Sequence, residues 1–403
     1  FMHHPFTEFS FYYTKNIHTY VCDIKEPATY ILHINIRSKG GLNMITISLC
    51  MIVKNEEEVI GRCLASVKDI VDEINIVDTG STDQTKEIVK QYTNRIFDFK
   101  WIDDFAAARN YSFEQATKEY ILWLDADDVF TEDDRNKLKQ LKTSLDHSYD
   151  AISMKYHLAF DENGNVTYLL RRYRLVNRKK QFKWIGQVHE YLAVEGNLLD
   201  SDVAVSHLPL SHDSNRNLSI YQKMIDDGKQ LTPRDTFYFA NELMDHAKYD
   251  DAITYYELFL QSNQGWIEDN IRACFKLADC YYELGNHHQT LLSTLRTLSY
   301  DIPRPEACCR IGYHFMEQNK NHEAIYWYKK ALNYKNKELL SFQNTNFSTW
   351  LPHLQLCVLY DRIQEHRIAH SHNEEARKYR PTDERIIGNK KYFEQILKDS
   401  LEE

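Results

Sequence analysis

The segment with the clearest chemical potential is a short apolar run that ends in three aspartates. Residues 121–124 carry no charge, and Asp125, Asp127 and Asp128 come almost directly after them. Such a run is typical of a central strand that is covered on both faces. Carboxylates gathered at one strand end repel one another unless a cation lies between them. The pattern favours an Asp-x-Asp metal site facing a diphosphate. The alternative is that Asp127 or Asp128 only caps the helix predicted to begin near Thr131.

Asp78 ends an earlier apolar run in the same way. A carboxylate at that point can accept a hydrogen bond from a nucleotide base or a ribose hydroxyl. The alternative is an aspartate that stabilises the turn formed by residues 79–82. The chain has no Gly-x-Gly-x-x-Gly fingerprint and no P-loop. A diphosphate would therefore have to be neutralised by a metal and by cationic side chains. Asp127 is the candidate for holding the metal, and Lys54 and Arg109 are the candidate cations.

Strand-forming and helix-forming segments alternate from Met44 onward, which determines how these residues are positioned. Residues 45–53 and 73–78 are rich in β-branched side chains, and a helical period with Asn55 as N-cap lies between them. This alternation predicts a doubly wound α/β sheet with parallel strands. In such a sheet the carboxyl ends of the strands form the ligand-binding edge.

A hairpin is predicted after this region. Its strands are residues 151–160 and 166–176, and a polar loop joins them. Arg171, Arg172 and Arg174 lie on the second strand. We interpret at least two of them as part of a solvated strand face.

Composition excludes several classes of protein. The chain has 403 residues, which predicts two domains, and its 43% hydrophobic and 27% charged content is that of a soluble globular protein. No apolar run approaches the roughly 20 residues of a membrane span. A net charge of −10 argues against nucleic acid as a main partner. The eight cysteines form no CxxC pair, which predicts reduced, buried thiols in a bacterial cytoplasmic protein.

Residues 1–43 differ from the rest of the chain, because they are aromatic and irregular. Just before Met44 stands Lys39-Gly-Gly, which can be encoded as AAA-GGA-GGT, a bacterial ribosome-binding sequence. We therefore expect Met44 to be the natural start and residues 1–43 to be a translated leader; the alternative is a genuine N-terminal extension. The segment lacks the features of a signal peptide.

The second half of the chain has helical periods and small-residue anchors. Each pair of anchors is separated by twelve residues, and successive units are 34 to 45 residues apart, close to the tetratricopeptide period. The pattern predicts three to four stacked helix pairs, and the alternative is a helical bundle without true repeats. The anchors are Ala240 and Ala252, Ala278 and Thr290, Gly312 and Ala324, and Cys357 and Ala369.

Four motifs together resemble the family 2 glycosyltransferases of GT-A fold. They are residues 48–56, 78–83, 104–110 and 124–128, and the resemblance covers about residues 44–215. It implies a sugar-nucleotide donor, usually a UDP-sugar, and a divalent metal, Mg²⁺ or Mn²⁺. It further implies that Asp127 carries the metal. The implied donor-binding residues are Val53, Asn55, Asp78, Arg109, Asn110, Asp125 and Ala126.

Residues 182–190 resemble the Phe-x-Gly-x-Val-His-Glu element of the same family. A carboxylate at Glu190 can act as the general base on an acceptor, with His189 beside it to orient or tune it. The alternative is a first-turn helix carboxylate next to a core histidine. His207 is our candidate for a second metal ligand. The family often has Tyr-Gly-Tyr after this histidine, whereas this chain has Leu-Pro-Leu.

The layout predicts a GT-A domain at residues 44–215, a connecting helix or linker at 216–232 and tetratricopeptide-like repeats at 233–403. It is similar to that of the glycocin (sublancin-type) peptide S-glycosyltransferases. The resemblance implies an inverting transfer of a hexose from a UDP-sugar to a cysteine, or a serine, of a bacteriocin precursor peptide. A homodimer through the repeats is a further expectation. The alternatives are a transferase for a surface polysaccharide or another small acceptor, and a non-catalytic repeat scaffold.

Overall fold

The computed structural model describes residues 44–210, 215–334 and 341–402. The predicted leader, residues 1–43, lies outside the described residues. The chain divides into two compact units. Of the described residues, the first comprises 44–159, 169–210, 215–230 and 341–342, and the second comprises 160–168, 231–334 and 343–402. The chain thus passes from one unit to the other after Gln230, within the segment that was predicted to be a linker.

The first unit is an α/β domain, as its strand–helix alternation predicts. Its strands are β1 Ile47–Val53, β2 Glu73–Asp78, β3 Ile96–Asp98, β4 Tyr120–Trp123, β5 Asp128–Val129, β6 Ala151–Phe160, β7 Val166–Asn177, β8 Lys183–Ile185, β9 Tyr191–Ala193 and β10 Leu198–His207. Its helices are α1 Ile60–Val67, α2 Thr85–Val89, α3 Phe105–Glu114, α4 Glu132–Ser144 and α5 Asn215–Asp226.

Eight of these strands form a mixed sheet in the order β3-β2-β1-β4-β7-β6-β10-β5, and β8 and β9 pair with each other in a separate sheet. The four strands β3, β2, β1 and β4 are parallel to one another, whereas β7 runs antiparallel to β4. All four residues of β4 are buried, because the strand lies between β1 and β7 in the middle of the sheet. The predicted Rossmann-like GT-A fold is confirmed, and the sheet is mixed, because β7 is antiparallel to β4 and β5 is antiparallel to β10, whereas β6 and β10 are parallel.

The prediction of a solvated strand face on β7 is wrong. Arg171, Arg172 and Arg174 are 7%, 4% and 0% exposed. Alternation along a strand places residues 172 and 174 on one face, but that face is covered by the domain core instead of water. These arginines persist in the interior because they have polar and aromatic partners there, some of which belong to the functional site.

The second unit consists mainly of paired helices. They are α6 Pro233–Asp245, α7 Tyr249–Ser262, α8 Ile267–Glu283, α9 His287–Arg296, α10 Pro305–Glu317, α11 Asn321–Leu332, α12 Trp350–Arg362, α13 His366–Tyr379 and α14 Glu384–Glu402. Each pair carries one predicted anchor on its first helix and one on its second. Seven of the eight anchors are buried, and Thr290 is partly buried. The small side chains let neighbouring helices approach closely, as the repeat pattern requires.

The hairpin loop between β6 and β7 is also part of the second unit. Residues Phe160–Tyr168 belong to that unit, and Glu162 forms an ion pair of 3.1 Å with Arg380. The hydroxyl of Thr345 lies 3.3 Å from the carbonyl oxygen of Val166. The sequence pattern did not predict this packing, because a loop of polar residues looks solvated when its distant partners are unknown.

No helix among the described residues is both long enough and apolar enough to cross a membrane. The seven cysteines in the described part of the chain are buried and unbridged, as predicted. Cys22 lies outside the described residues.

The anchors lead to a stability prediction. Ala278 on α8 is fully buried, so Ala278→Leu should overpack the helix interface and lower the free energy of unfolding by about 1–3 kcal/mol. Leu258→Ala is the control, because Leu258 on α7 is 55% exposed and its removal should change stability by less than about 0.5 kcal/mol. Urea unfolding followed by circular dichroism measures both. Equal stability of the two variants would contradict the anchor assignment.

Candidate functional site

The acidic turn at the end of β4 is fixed by its own backbone. The N–H of Asp125 donates to Oδ2 of Asp128 at 2.9 Å, and the N–H of Asp128 donates to the carbonyl of Asp125 at 3.1 Å. The turn directs the three carboxylates to different surroundings. Asp125 and Asp127 are partly buried, while Asp128 is fully buried.

His207 meets this turn through the register of the sheet. The last residues of β10 pair antiparallel with β5, and His207 lies opposite Asp128. Its Nδ1 is 3.3 Å from Oδ1 of Asp127 and 3.6 Å from Oδ1 of Asp128. Burial disfavours the charged imidazole, but the two carboxylates outweigh it and raise the pKa of His207 to about 10.

These three residues could hold a metal ion. One ligand atom from each of Asp127, Asp128 and His207 lies within 4.8 Å of the others. Oδ1 of Asp128 is buried and has no hydrogen-bond partner among the described residues, so it is available to a cation. Carboxylate oxygens and one imidazole nitrogen are donors that suit Mg²⁺ and Mn²⁺. The structure therefore brings together both predicted ligands, Asp127 and His207, and adds Asp128.

Two buried arginines compensate the remaining charge. Arg174 forms an ion pair of 2.9 Å with Asp128, and both side chains are 0% exposed. Its guanidinium lies 3.8 Å from the ring centre of Trp123 and 4.3 Å from that of Tyr156, which places it in a cation–π sandwich. Asp128 thus has a structural role as the partner of Arg174 in a buried ion pair. The alternative considered from the sequence was only that Asp127 or Asp128 caps a helix.

Arg109 connects the acidic turn to Glu190. Its guanidinium donates to Asp125 and to Glu190, each at 2.6 Å, and it lies about 5 Å from the rings of Trp123 and Trp184. Burial opposes the ionisation of Asp125, but Arg109 and the neighbouring arginines outweigh it. They hold the pKa of Asp125 well below its usual range.

A cavity of about 710 Å³ is present at this edge of the sheet, a volume typical of small-molecule sites. Glu56 also lines it; burial, followed by the charges of Asp127 and Asp125, raises the pKa of Glu56 to about 7. The sequence motif at residues 48–56 ends at Glu56, but sequence reasoning assigned this residue no role in the site. The lining includes the predicted residues Lys54, Val53, Asn55, Arg109, Asp125, Ala126, Asp127 and His207.

Two predicted donor-binding residues are not part of this lining. The carboxylate of Asp78 accepts the backbone N–H of Gly80 at 3.1 Å and of Ser81 at 3.0 Å, so it stabilises the turn as the alternative hypothesis held. Asn110 exchanges two hydrogen bonds, of 2.9 and 3.0 Å, with the backbone of Trp184. Contact of either residue with a donor stays a prediction.

The two predicted catalytic residues lie behind the cavity wall. Glu190 is 0% exposed and is held by Arg109, and burial raises its pKa although Arg109 opposes the shift. His189 is 3% exposed, adopts a left-handed φ of 52°, and stacks against Tyr221 on α5 with ring centres 6.2 Å apart. The predicted base is thus buried and ion-paired in this structure, and its role in proton transfer stays a prediction.

Comparison with known proteins shows what the first unit is similar to. Residues 48–195, which lie mostly in the first unit, match the family model of glycosyl transferase family 2.

Three relatives illustrate the likeness. A TPR repeat-containing protein of Synechococcus elongatus is 37% identical over 37% of this chain and 36% of its own length. The SPbeta prophage-derived glycosyltransferase SunS of Bacillus subtilis is 30% identical over 52% of both chains. The lipopolysaccharide core biosynthesis glycosyltransferase LpsC of Rhizobium meliloti is 26% identical over 38% of this chain and 59% of its own. The matches thus span about a third to three fifths of these relatives.

The buried pair of Arg174 and Asp128 gives a prediction. Arg174→Met should lower the free energy of unfolding by about 3–5 kcal/mol, because it leaves the Asp128 carboxylate buried without its counter-charge. Adding Asp128→Asn should restore much of this loss, since the amide carries no charge. Thermal unfolding of both variants and of wild type measures the effect. A double variant less stable than Arg174→Met alone would contradict it.

Proposed function

We propose that this protein transfers a hexose from a UDP-sugar to a side chain of a peptide, with inversion at the anomeric carbon. The observation that carries the proposal is the meeting of Asp127, Asp128 and His207 beside a 710 Å³ cavity at the carboxyl ends of parallel strands. The match to glycosyl transferase family 2 supports a sugar-nucleotide donor. The intact acidic turn argues against a non-catalytic scaffold.

The residues of the site suit a nucleoside diphosphate sugar. When bound there, a divalent metal would neutralise the charge that develops on the leaving diphosphate. Asp127 and His207 would hold it, with Oδ1 of Asp128 available as a third donor. Lys54 and Arg216 also line the cavity and supply positive charge.

A peptide acceptor is supported by the helical unit and by the resemblance in layout to the peptide S-glycosyltransferases. Stacked helix pairs are suited to binding extended or helical peptides. A thiol acceptor needs little help from a base, because a cysteine with a pKa of about 8.5 is already partly ionised at neutral pH. The likeness to a lipopolysaccharide core transferase makes a saccharide acceptor the competing hypothesis.

Incubation with a panel of sugar nucleotides and Mn²⁺ tests the proposal. Release of UDP and mass spectrometry of candidate peptides and saccharides would identify donor and acceptor together. We expect one UDP-hexose to add a single hexose to a peptide. Addition to saccharides alone would contradict the peptide acceptor, and failure to bind any UDP-sugar would contradict the activity itself.

Removal of a metal ligand should abolish transfer. Asp127→Ala and His207→Ala should each weaken Mn²⁺ binding by at least about tenfold and reduce turnover severely, since each removes one donor atom. Calorimetric titration with Mn²⁺ measures binding, and a chelator should stop the wild-type reaction. Asp202→Ala is the control, because Asp202 lies on β10 with its side chain 86% exposed. Wild-type turnover of Asp127→Ala in the presence of chelator would disprove the metal site.

The role of Glu190 can be tested with two acceptors. If Glu190 is the general base, Glu190→Gln should slow transfer to a serine peptide by roughly 10²–10⁴-fold and transfer to the matching cysteine peptide by less. If it serves only to position Arg109, the losses should be equal for both peptides. For the acceptor to reach this carboxylate, the 2.6 Å contact with Arg109 has to open. Retention of the anomeric configuration would exclude a single displacement.

A further inference from the structure

Glu56 is a cavity carboxylate to which neither the sequence motifs nor the metal cluster gives a role. It directly follows Asn55, lines the same cavity as Asp125 and Asp127, and is only partly buried. Among the described residues its side chain forms no ion pair or hydrogen bond. Its carboxylate therefore remains available to a ligand in the cavity.

The backbone around Glu56 is held firmly in place. Asn55 adopts a left-handed φ of 55°, and its side-chain oxygen accepts the N–H of Thr82 at 2.8 Å. The N–H of Glu56 donates to the hydroxyl of Thr85 at 2.7 Å. The loop after β1 is thus fastened to the loop after β2. A left-handed residue is uncommon outside glycine and needs such support. The position of Glu56 at the cavity is built into the fold.

Glu56 lines the same cavity as Asp127 and His207 but is not part of the candidate metal cluster. The charges that act most strongly on it are those of Asp127 and Asp125, which disfavour its ionisation, and of Arg216, which favours it. It is not one of the three residues whose ligand atoms lie within 4.8 Å of one another. Glu56 therefore shares the cavity with the candidate metal ligands and is not one of them.

A nucleoside diphosphate has its ribose next to the diphosphate, and a carboxylate is the usual acceptor for ribose hydroxyls. Asp78, the other carboxylate expected to meet the nucleoside, has both oxygens engaged by Gly80 and Ser81. Glu56 shares the cavity with the candidate metal ligands Asp127 and His207 and has free acceptor capacity. We propose that Glu56 accepts hydrogen bonds from the ribose hydroxyls of the donor and so selects ribonucleotides over deoxyribonucleotides. This inference depends on the proposed function for the presence of a nucleotide.

Binding of UDP, 2′-deoxy-UDP and 3′-deoxy-UDP in the presence of Mn²⁺ tests the inference. Hydrogen bonds to a charged group contribute about 1.5–3 kcal/mol, so the wild type should bind UDP roughly 10- to 100-fold more tightly than at least one deoxy analogue. Glu56→Gln should reduce that ratio to about threefold or less. Glu87→Gln changes an exposed carboxylate on α2 that does not line the cavity, and it should keep the wild-type ratio. Glu56→Asp, which keeps the charge but shortens the reach, should also lose selectivity.

Each outcome separates this inference from the proposed function. Wild-type binding of UDP with the same ribose selectivity in Glu56→Gln would disprove the inference and leave the transferase proposal intact. A loss of Mn²⁺ affinity in Glu56→Gln without nucleotide would instead assign Glu56 to the metal. If the wild type binds no UDP-sugar or UDP at all, both the inference and the proposed function are wrong. Circular dichroism of each variant confirms that the fold is retained.

Discussion

Carboxylates can gather at the end of β4 only because buried arginines compensate them. Arg174 forms an ion pair with Asp128, and both side chains are fully buried. Arg109 forms ion pairs with both Asp125 and Glu190. Without these cations the turn would hold several like charges in a medium of low dielectric constant, which is strongly unfavourable. The aromatic rings around both guanidinium groups keep water out and hold them in position. The rest of the site depends on this arrangement.

Asp125 and Asp128 are paired with buried arginines and so have a structural role. The other carboxylate oxygens of the turn can contact a ligand. Asp127 and the open oxygen of Asp128 face His207, and Glu56 faces the cavity nearby. In the absence of a metal the imidazole can carry the compensating charge, since two carboxylates stabilise its protonated form and raise its pKa. The same geometry that supports a protonated histidine would support a divalent cation in its place. The buried ion pairs and the sheet register thus hold these side chains in position, and fixed side chains reduce the cost of binding.

The helical unit is also assembled from distant parts of the sequence. Its repeats pack through small anchors, yet residues 160–168 from the first half of the chain belong to it, held in part by Glu162 and Arg380. A fragment containing only the helices would lack these contacts. This matters for experiments on acceptor binding, which should use the full chain instead of the repeats alone.

The sequence alone determined the order of strands and helices, the position of the acidic turn at a strand end and the helix pairs with their anchors. These features are local, because apolar runs, helical periods and small residues at fixed spacing depend on neighbouring residues only. Tertiary structure decided the rest. The β5–β10 register brought His207 to Asp127, Glu190 was placed behind Arg109, and the β7 arginines were buried instead of solvated. The burial of a charged side chain depends on partners tens of residues away, and the pattern around the residue itself does not contain that information.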